Sequence, residues 1–375
     1  MSIRALLIGE SYGKNEELFQ HPFVGPAGVK LAQLMAQSGL GPELDVPWPS
    51  SLQMMKYWEK CKAQGIEITN VFNAHPPDNK TEMYFTNRKD GVKTLPSLKH
   101  KYLHPDYLHH ILALKTLIVE KDPNLIICLG NYALWAVLGE DSIKVFRGAV
   151  RTCDIKNIKV IPTYHPSSLF HQTELTTTVL SDFEKCKREI ETKFQEQLPR
   201  WVLVQPTFDE IEEWYNHSAE YYAADVESGQ ALFTKAEKAR MKKECPQVLS
   251  ILAQQISMIG FARDPYNAIV IPLMSRQNPD LSYWQDPNDE MKALRWIEKF
   301  LKKPIPKIFQ NGMYDIPMIL NYKIIPKMCD EDTMLLHHSI YPEMPKSLGF
   351  LASIYENLPV WKTMYAGGEN LKRDD

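Results

Sequence analysis

Residues 5–13 have the sequence ALLIGESYG, and this stretch decides the fold of the first half of the chain. Four consecutive apolar residues that stop at a glycine are typical of a buried strand that ends in a loop. Three later segments, at 68–72, 125–129 and 160–162, are also predicted to be buried strands that end in a turn or loop, and helical patterns lie at 28–37, 108–121 and 131–138. Alternating strands and helices predict a parallel sheet in an α/β domain.

Distinctive polar segments follow the four predicted strands, where open parallel sheets bind their ligands. These segments are GESYG at 9–13 with PFVGPAG at 22–28, TNVFN at 69–73 with HPP at 75–77, LGN at 129–131, and TYHPS at 163–167. Taken singly, each has an ordinary structural explanation, such as a carboxylate at a helix start or an asparagine in a turn. Together, at the strand ends of one sheet, they predict a binding site.

The ordered set of segments resembles the uracil-DNA glycosylase superfamily, and most closely its families 4 and 5, over roughly residues 3–185. The resemblance implies a three-layer αβα parallel-sheet fold and excision of uracil from a nucleotide flipped out of the DNA stack. It implies that Glu10 positions or activates the attacking water and that His165 donates a hydrogen bond to the oxyanion developing on the base. It further implies that this step requires no metal. Phe23 is expected to stack on the uracil and Asn70 to form a hydrogen bond with its polar edge. The other residues expected to contact the uracil are Gly9, Ser11 and Ser167.

The chain departs from family 4 at two places. Ser11 and Tyr12 stand where those enzymes usually have Ala-Pro, so Tyr12 either crowds the uracil pocket or replaces a neighbouring contact. Family 4 enzymes also bind an iron–sulfur cluster through four cysteines, two of them ahead of the first strand. Here nothing precedes that strand and Ala74 replaces the third cysteine, so we expect no iron–sulfur cluster. The six cysteines are widely scattered, which is typical of inert thiols.

The length of 375 residues indicates two domains, because a single core rarely grows past about 250–300 residues. A polar helical pattern at 176–197 precedes Leu-Pro-Arg at 198–200, so we place a glycosylase-like domain at 1–198 and a second domain at 199–375. Strands are predicted at 201–204, 221–226, 256–262, 268–271 and 307–310, with helices at 208–215 and 289–301. This pattern indicates a second α/β domain with a mixed sheet.

Carboxylates mark a strand end in the second half. Asp225 and Glu227 lie two residues apart in a predicted strand and therefore point the same way. Asp315, after a later strand, is a third candidate. Clustered carboxylates favour a bound Mg²⁺ or Mn²⁺, and two such ions can support phosphodiester cleavage. A lone Asp-x-Glu is common by chance, however, and usually marks a solvated strand end.

With NGMYD at 311–315 and DTML at 332–335, these carboxylates resemble the DnaQ-like, ribonuclease-H-like 3′–5′ exonuclease domain of family-A DNA polymerases, over roughly 201–370. The resemblance implies that Asp225, Glu227 and Asp315 bind the metal, that Glu227 also acts in catalysis, and that Asn311 contacts the DNA. The third motif of that family has no counterpart here. Three explanations stay open: Asp374 or Asp375 folds back as the missing ligand, a partner chain supplies it, or the domain binds DNA without cutting it efficiently.

A glycosylase-like half fused to a polymerase-type exonuclease half resembles proteins encoded by tailed bacteriophages. We expect a DNA-processing enzyme that excises uracil and degrades DNA from 3′ ends. The rival hypothesis is a non-catalytic DNA-binding or uracil-sensing accessory of a separate DNA polymerase, and a weaker third is a fragment of a longer polymerase. The expected partners are single-stranded or end-bearing DNA and a DNA polymerase.

The net charge of −3 requires any DNA to be bound by local basic patches. Segment 79–103 interleaves basic residues with Tyr84, Phe85 and Tyr102, which fits either a single-strand groove or a solvated loop. With no signal peptide or long apolar stretch, we expect a cytoplasmic protein that does not bind membranes, in the host cytoplasm if it is phage-encoded.

Overall fold

The computed structural model describes residues 4–192, 194 and 199–356, which form two compact units. The first unit contains the described residues up to 194 together with 343–356, and the second contains 199–342. Among these residues there is no helix with the length and apolar character that a membrane span requires.

The first unit is built on a five-stranded sheet. Its strands and an accompanying short hairpin are β1 (Ala5–Ser11), β2 (Ile66–Phe72), β3 (Phe85–Thr86), β4 (Tyr102–Leu103), β5 (Leu125–Leu129), β6 (Arg151–Thr152) and β7 (Lys159–Thr163). The sheet order is β2-β1-β5-β7-β6, with β6 antiparallel at the edge and the other neighbours parallel, while β3 pairs only with β4. All four predicted strands are present, and they form the predicted parallel sheet.

Helices cover both faces of this sheet. They are α1 (Lys14–Phe19), α2 (Pro26–Gln37), α3 (Ser51–Ala63), α4 (Leu108–Lys121), α5 (Asn131–Leu138), α6 (Ile143–Phe146) and α7 (Thr176–Glu189). Leu7 of β1 packs in a core with α2, α3 and α7, whereas its neighbours Leu6 and Ile8 pack in a second core with α4 and α5. Alternation of side chains along a strand therefore produces a three-layer αβα arrangement.

The second unit contains a mixed sheet, as predicted, with six strands in place of the five expected, because the short strand Glu331–Asp332 was not predicted. Its strands are β8 (Trp201–Val204), β9 (Tyr222–Ser228), β10 (Ile256–Asp264), β11 (Asn267–Pro272), β12 (Lys307–Phe309) and β13 (Glu331–Asp332). The order is β13-β12-β9-β10-β11-β8, and β10 runs antiparallel to both of its neighbours while the other pairs are parallel. Its helices are α8 (Phe208–Asn216), α9 (Lys235–Glu244), α10 (Pro246–Leu252), α11 (Pro287–Lys302), α12 (Gly312–Asn321) and α13 (Thr333–Ile340).

The last described helix, α14 (Leu348–Tyr355), packs in the first unit. Buried Arg147 donates from Nη1 to Ser353 Oγ at 2.8 Å, and buried Lys185 donates from Nζ to the carbonyls of Ser353 at 2.7 Å and Glu356 at 2.6 Å. The structure therefore differs from the expected domain limits, since 343–356 does not belong with 199–342. The physical reason is that two buried cations of the first unit take hydrogen-bond acceptors from α14. Asp374 and Asp375 lie outside the described residues.

Candidate active site

A cleft of about 360 Å³ lies at the carboxyl ends of β1, β2 and β7. Six of the residues predicted from the sequence line it, namely Glu10, Ser11, Phe23, Asn70, His165 and Ser167. Tyr12, which is buried, also borders the cleft. The volume lies within the usual range for small-molecule sites, and the polar lining suits a hydrogen-bonding ligand.

Gly9 lies beneath this cleft and makes room for two of its side chains. It pairs with Asn70 across β1 and β2. A Cβ atom at Gly9 would lie 2.3 Å from Asn70 Oδ1 and 2.4 Å from Phe23 Cζ. The absence of a side chain at Gly9 therefore leaves the space that Asn70 and Phe23 occupy, and the contact of Gly9 with a bound base stays a prediction.

Phe23 is held in place by its own backbone. Its φ angle is 56°, in the left-handed region, and its carbonyl accepts a hydrogen bond from Trp58 Nε1 at 2.8 Å. The same carbonyl oxygen would lie 1.8 Å from a Cβ atom at Gly28, so only glycine fits there. The Phe23 ring stacks beside the His165 ring, with centroids 5.9 Å apart and planes inclined by 29°.

His165 begins the short 3-10 helix Pro166–Phe170, directly after β7. The backbone N–H of Ser167 donates to its Nδ1 at 3.3 Å, and Ser167 Oγ lies 2.7 Å from the same atom. Because a backbone N–H can only donate, Nδ1 accepts, and the proton of the neutral ring is on Nε2. Burial lowers the pKa of His165 to about 4, so the ring is neutral at physiological pH.

Glu10 is the acidic group of the cleft. Burial raises the pKa of its carboxyl above the ordinary value, while a hydrogen bond from Thr81 and the charge of Lys99 act more weakly in the opposite direction. A carboxylate with a raised pKa is a stronger base than one in water. Glu10 can therefore accept a proton or stabilise a cation inside the cleft.

Glu16 was not predicted from the sequence, although it holds two loops of the site together. Its Oε1 accepts from the backbone N–H of Gly25 at 2.7 Å, and its Oε2 accepts from that of Gly13 at 3.2 Å. A glutamate three residues after a helix-capping position is a recognisable capping signal. Here the capping residue is Gly13, which lacks the usual side-chain oxygen, so the signal is incomplete.

The basic segment 79–103 has a structural explanation for two of its three aromatic residues. Tyr84 and Phe85 are buried and pack against Phe72, with ring centroids 4.5 and 6.3 Å apart. These two rings therefore belong to a core of the first unit, and neither of them lines the cleft. Lys99 lies at a tight turn between the bridged residues Leu98 and Lys101, and its charge reaches Glu10.

The second unit places the predicted carboxylates near one another. Asp225 and Glu227 lie on the exposed face of β9, and the N–H of Val226 between them donates to Asp315 Oδ1 at 2.9 Å. Burial, together with the charges of Asp225 and Glu227, raises the pKa of Asp315 to about 6. Within the part of the chain that the structure describes, however, no three carboxylate, imidazole or thiol groups converge closely enough to hold a metal ion.

Asn311 and Asp332 shape the loop before α12. Asn311 is exposed and has a left-handed φ of 65°. Asp332 accepts hydrogen bonds from the N–H groups of Asn311 at 3.2 Å, Gly312 at 2.7 Å and Met334 at 2.8 Å. Asp332 therefore organises the loop that presents Asn311.

The sequence comparisons concern the unit that contains the cleft. Residues 2–194 match the family model described as "Uracil DNA glycosylase superfamily". The chain is also similar to a type-4 uracil-DNA glycosylase of Archaeoglobus fulgidus, at 27% identity over 188 residues, which covers 48% of this chain and 73% of the relative. A type-4 uracil-DNA glycosylase of Thermotoga maritima is 27% identical over 190 residues, 50% of this chain and 78% of the relative.

A further relative, from Saccharolobus solfataricus, is also named a type-4 uracil-DNA glycosylase and is 24% identical over 195 residues, 50% of this chain and 72% of the relative. All these similarities fall in the half of the chain that forms the αβα sheet and carries the cleft. The match to the family model covers just over half of the chain, and the protein belongs to the uracil-DNA glycosylase superfamily.

Proposed function

We propose that the first unit excises uracil from DNA. The observation that carries this proposal is the geometry of His165, whose Nδ1 accepts from the Ser167 N–H, which leaves Nε2 as the donor of a ring whose pKa burial lowers. It lies in one cleft with Phe23, Asn70 and Glu10. The names of the relatives, all type-4 uracil-DNA glycosylases, support the same activity.

Hydrolysis of the glycosidic bond requires two charges to be stabilised. As the C1′–N1 bond breaks, its electron pair leaves with uracil, and negative charge develops on the base. His165 Nε2–H donates to that charge, and a donor of this kind is worth about 10²–10³ in rate. Because the ring is already neutral, it stabilises the anion as a hydrogen-bond donor and keeps its proton.

Glu10 acts on the sugar side of the same bond. Its carboxylate stabilises the cationic sugar and accepts a proton from the water whose oxygen bonds to C1′. Burial strengthens both effects, because it raises the pKa of this carboxyl. Phe23 supplies a flat face for the flipped base, and Asn70 supplies an amide for its polar edge.

The test uses a 5′-labelled single strand with one uracil, incubated in EDTA and then treated with alkali. We expect a break at the uracil with the wild-type protein and a rate about 10²–10³ lower with His165→Ala. His109→Ala, at an exposed histidine of α4, is the matched control and keeps the wild-type rate. Absence of a break in the wild type, or an undiminished rate in His165→Ala, would contradict the proposal.

We propose a second candidate function, 3′–5′ exonucleolytic cleavage of DNA dependent on Mg²⁺ or Mn²⁺, for the second unit. The position of Asp225 and Glu227 close enough to Asp315 for their charges to help raise its pKa supports it, as does a mixed sheet in which β9 carries two of these carboxylates. The described carboxylates do not by themselves make a complete metal site, so a further ligand must come from the remaining residues or from a partner chain.

The same labelled strand, without uracil, tests this second function in Mg²⁺. We expect a descending ladder that Asp225→Ala abolishes and that Asp280→Ala, at an exposed aspartate of the same unit, leaves intact. If no ladder forms while the strand still shifts on a native gel, the protein binds DNA without cleaving it. The hypothesis of a non-catalytic accessory to a separate DNA polymerase is then the better one.

A further inference from the structure

The uracil cleft continues into a second, apolar groove of about 650 Å³. Asn15 and Pro26 border both the cleft and the groove, so the two spaces adjoin. Apolar surface predominates in the groove, whereas polar and apolar surface contribute about equally to the lining of the cleft. The two spaces therefore suit different parts of one ligand.

Two exposed aromatic rings border this groove. Trp48 is 79% exposed and Phe170 is 50% exposed, and both belong to the lining. A single exposed aromatic residue needs no explanation, but two that border one groove beside a binding cleft make a concentrated apolar patch. Lys30 also lies along the groove and supplies positive charge.

The backbone beside both rings is held by hydrogen bonds. Gln33 Nε2 donates to Pro47 O at 3.0 Å, and Ser50, two residues after Trp48, caps α3 by accepting from Gln53 N–H. Phe170 is the last residue of the short helix Pro166–Phe170, which His165 caps. Rings on a backbone that is held in this way lose less conformational freedom when they bind a ligand.

We propose that this groove binds an unpaired nucleobase that neighbours the uracil in the same strand, by stacking on Trp48 and Phe170. Flat aromatic faces bind bases of any sequence, and a nearby cation suits the phosphates of the strand. The inference rests on the proposed excision of uracil from the adjoining cleft. It assigns a preference for DNA in which the nucleotide next to the uracil is unstacked, as in single strands.

The test is a cycle of substrate and protein changes with single strands that carry one uracil. Each position within three nucleotides of the uracil is replaced in turn by an abasic tetrahydrofuran, and kcat/KM is measured for the wild type, Trp48→Ala and Phe170→Ala. We expect one flanking position at which loss of the base lowers wild-type kcat/KM about tenfold to a hundredfold. Trp48→Ala causes a similar loss on the intact strand and no further loss on the strand that lacks that base.

Trp201→Ala is the matched control, since Trp201 is 70% exposed on the edge strand β8 of the second unit. A second readout is the fluorescence of 2-aminopurine at the same position, which stacking on Trp48 quenches. Equal losses with and without the flanking base, and no quenching, would overturn the groove assignment while uracil excision stands. If no variant excises uracil but quenching still depends on Trp48, the proposed function fails and the stacking groove stands.

Discussion

Replacing Gly9 by alanine should disable the cleft while leaving the protein folded. The new Cβ atom would lie 2.4 Å from Phe23 Cζ and 2.3 Å from Asn70 Oδ1, whereas ordinary contacts begin at 3.4 Å. Each of these side chains must therefore withdraw by about 1 Å, the difference between those distances. Phe23 cannot follow by a backbone shift, because its carbonyl is bound by Trp58 and abuts Gly28.

A displacement of this size has two measurable effects. Overpacking costs about 1–3 kcal/mol of folding stability, which lowers Tm by about 2–10 °C in a unit of this size. Misplacing a substrate-binding group by about 1 Å can cost about 10² in rate. We therefore expect kcat/KM for uracil excision to fall about a hundredfold in Gly9→Ala, measured with the alkali-cleavage assay at a temperature well below Tm.

Gly260→Ala is the matched control, because it makes the same change in a strand of the second unit. The nearest atom to a Cβ there is Ile269 O at 3.9 Å, an ordinary contact distance. This variant should excise uracil at the wild-type rate. If Gly9→Ala kept kcat/KM within about threefold of the wild type and had an unchanged Tm, Phe23 and Asn70 would not be packed against Gly9. This result would refute the close packing beneath the cleft.

Three further changes probe other parts of the molecule. Burial raises the pKa of Glu10 above its ordinary value of 4.5, so the rate of uracil excision should fall as the pH drops and this one carboxylate becomes protonated. Glu10→Gln should be slower at every pH, and its pH–rate profile should lack this decrease at acidic pH. Gly148 has a φ of 70°, and a Cβ atom there would lie 2.7 Å from both Asp182 Oδ1 and Ser353 O. Gly148→Ala should therefore lower the free energy of unfolding by at least about 2 kcal/mol in urea titrations. An unchanged urea midpoint of unfolding would contradict the packing of α14. Because the pKa of Asp315 is raised to about 6, the folded protein holds this proton more tightly than the unfolded chain and loses stability as pH rises toward and through 6. Asp315→Asn should therefore raise Tm at pH 7.5 but not at pH 4. An equal gain in Tm at both pH values would contradict the raised pKa of Asp315.

The sequence predicted the strands of the first unit because each contains a run of apolar residues, most clearly residues 5–8 in β1 and Leu125–Leu129 in β5, which are buried in the sheet. It predicted that Glu10, Asn70 and His165 would meet, because the carboxyl ends of neighbouring parallel strands lie at one edge of the sheet. Both predictions depend on patterns that are local in the chain. The same reasoning placed Asp225 and Glu227 on one face of β9.

The features that the sequence did not predict depend on contacts with no local pattern. Glu16 bonds to the backbone N–H groups of two glycines, and any residue except proline offers such a donor. Nothing in the eight residues of α14 indicates which unit they pack against. The requirement for glycine at position 9 comes from Phe23 and Asn70, which are distant in the chain and lie where a Cβ atom would be.

The return of α14 to the first unit has a consequence for synthesis on the ribosome. Residues 4–192 emerge first, but the acceptors that α14 offers to Arg147 and Lys185 are not made until residue 356. At a translation rate of about 5–20 residues per second, the nascent first unit waits on the order of 10–30 s for α14. During that interval the ribosome synthesises the second unit, while the first unit still lacks α14. A pause in translation near residue 340 would therefore prolong the exposure of the first unit to chaperones and proteases, even though its own coding region has already been read.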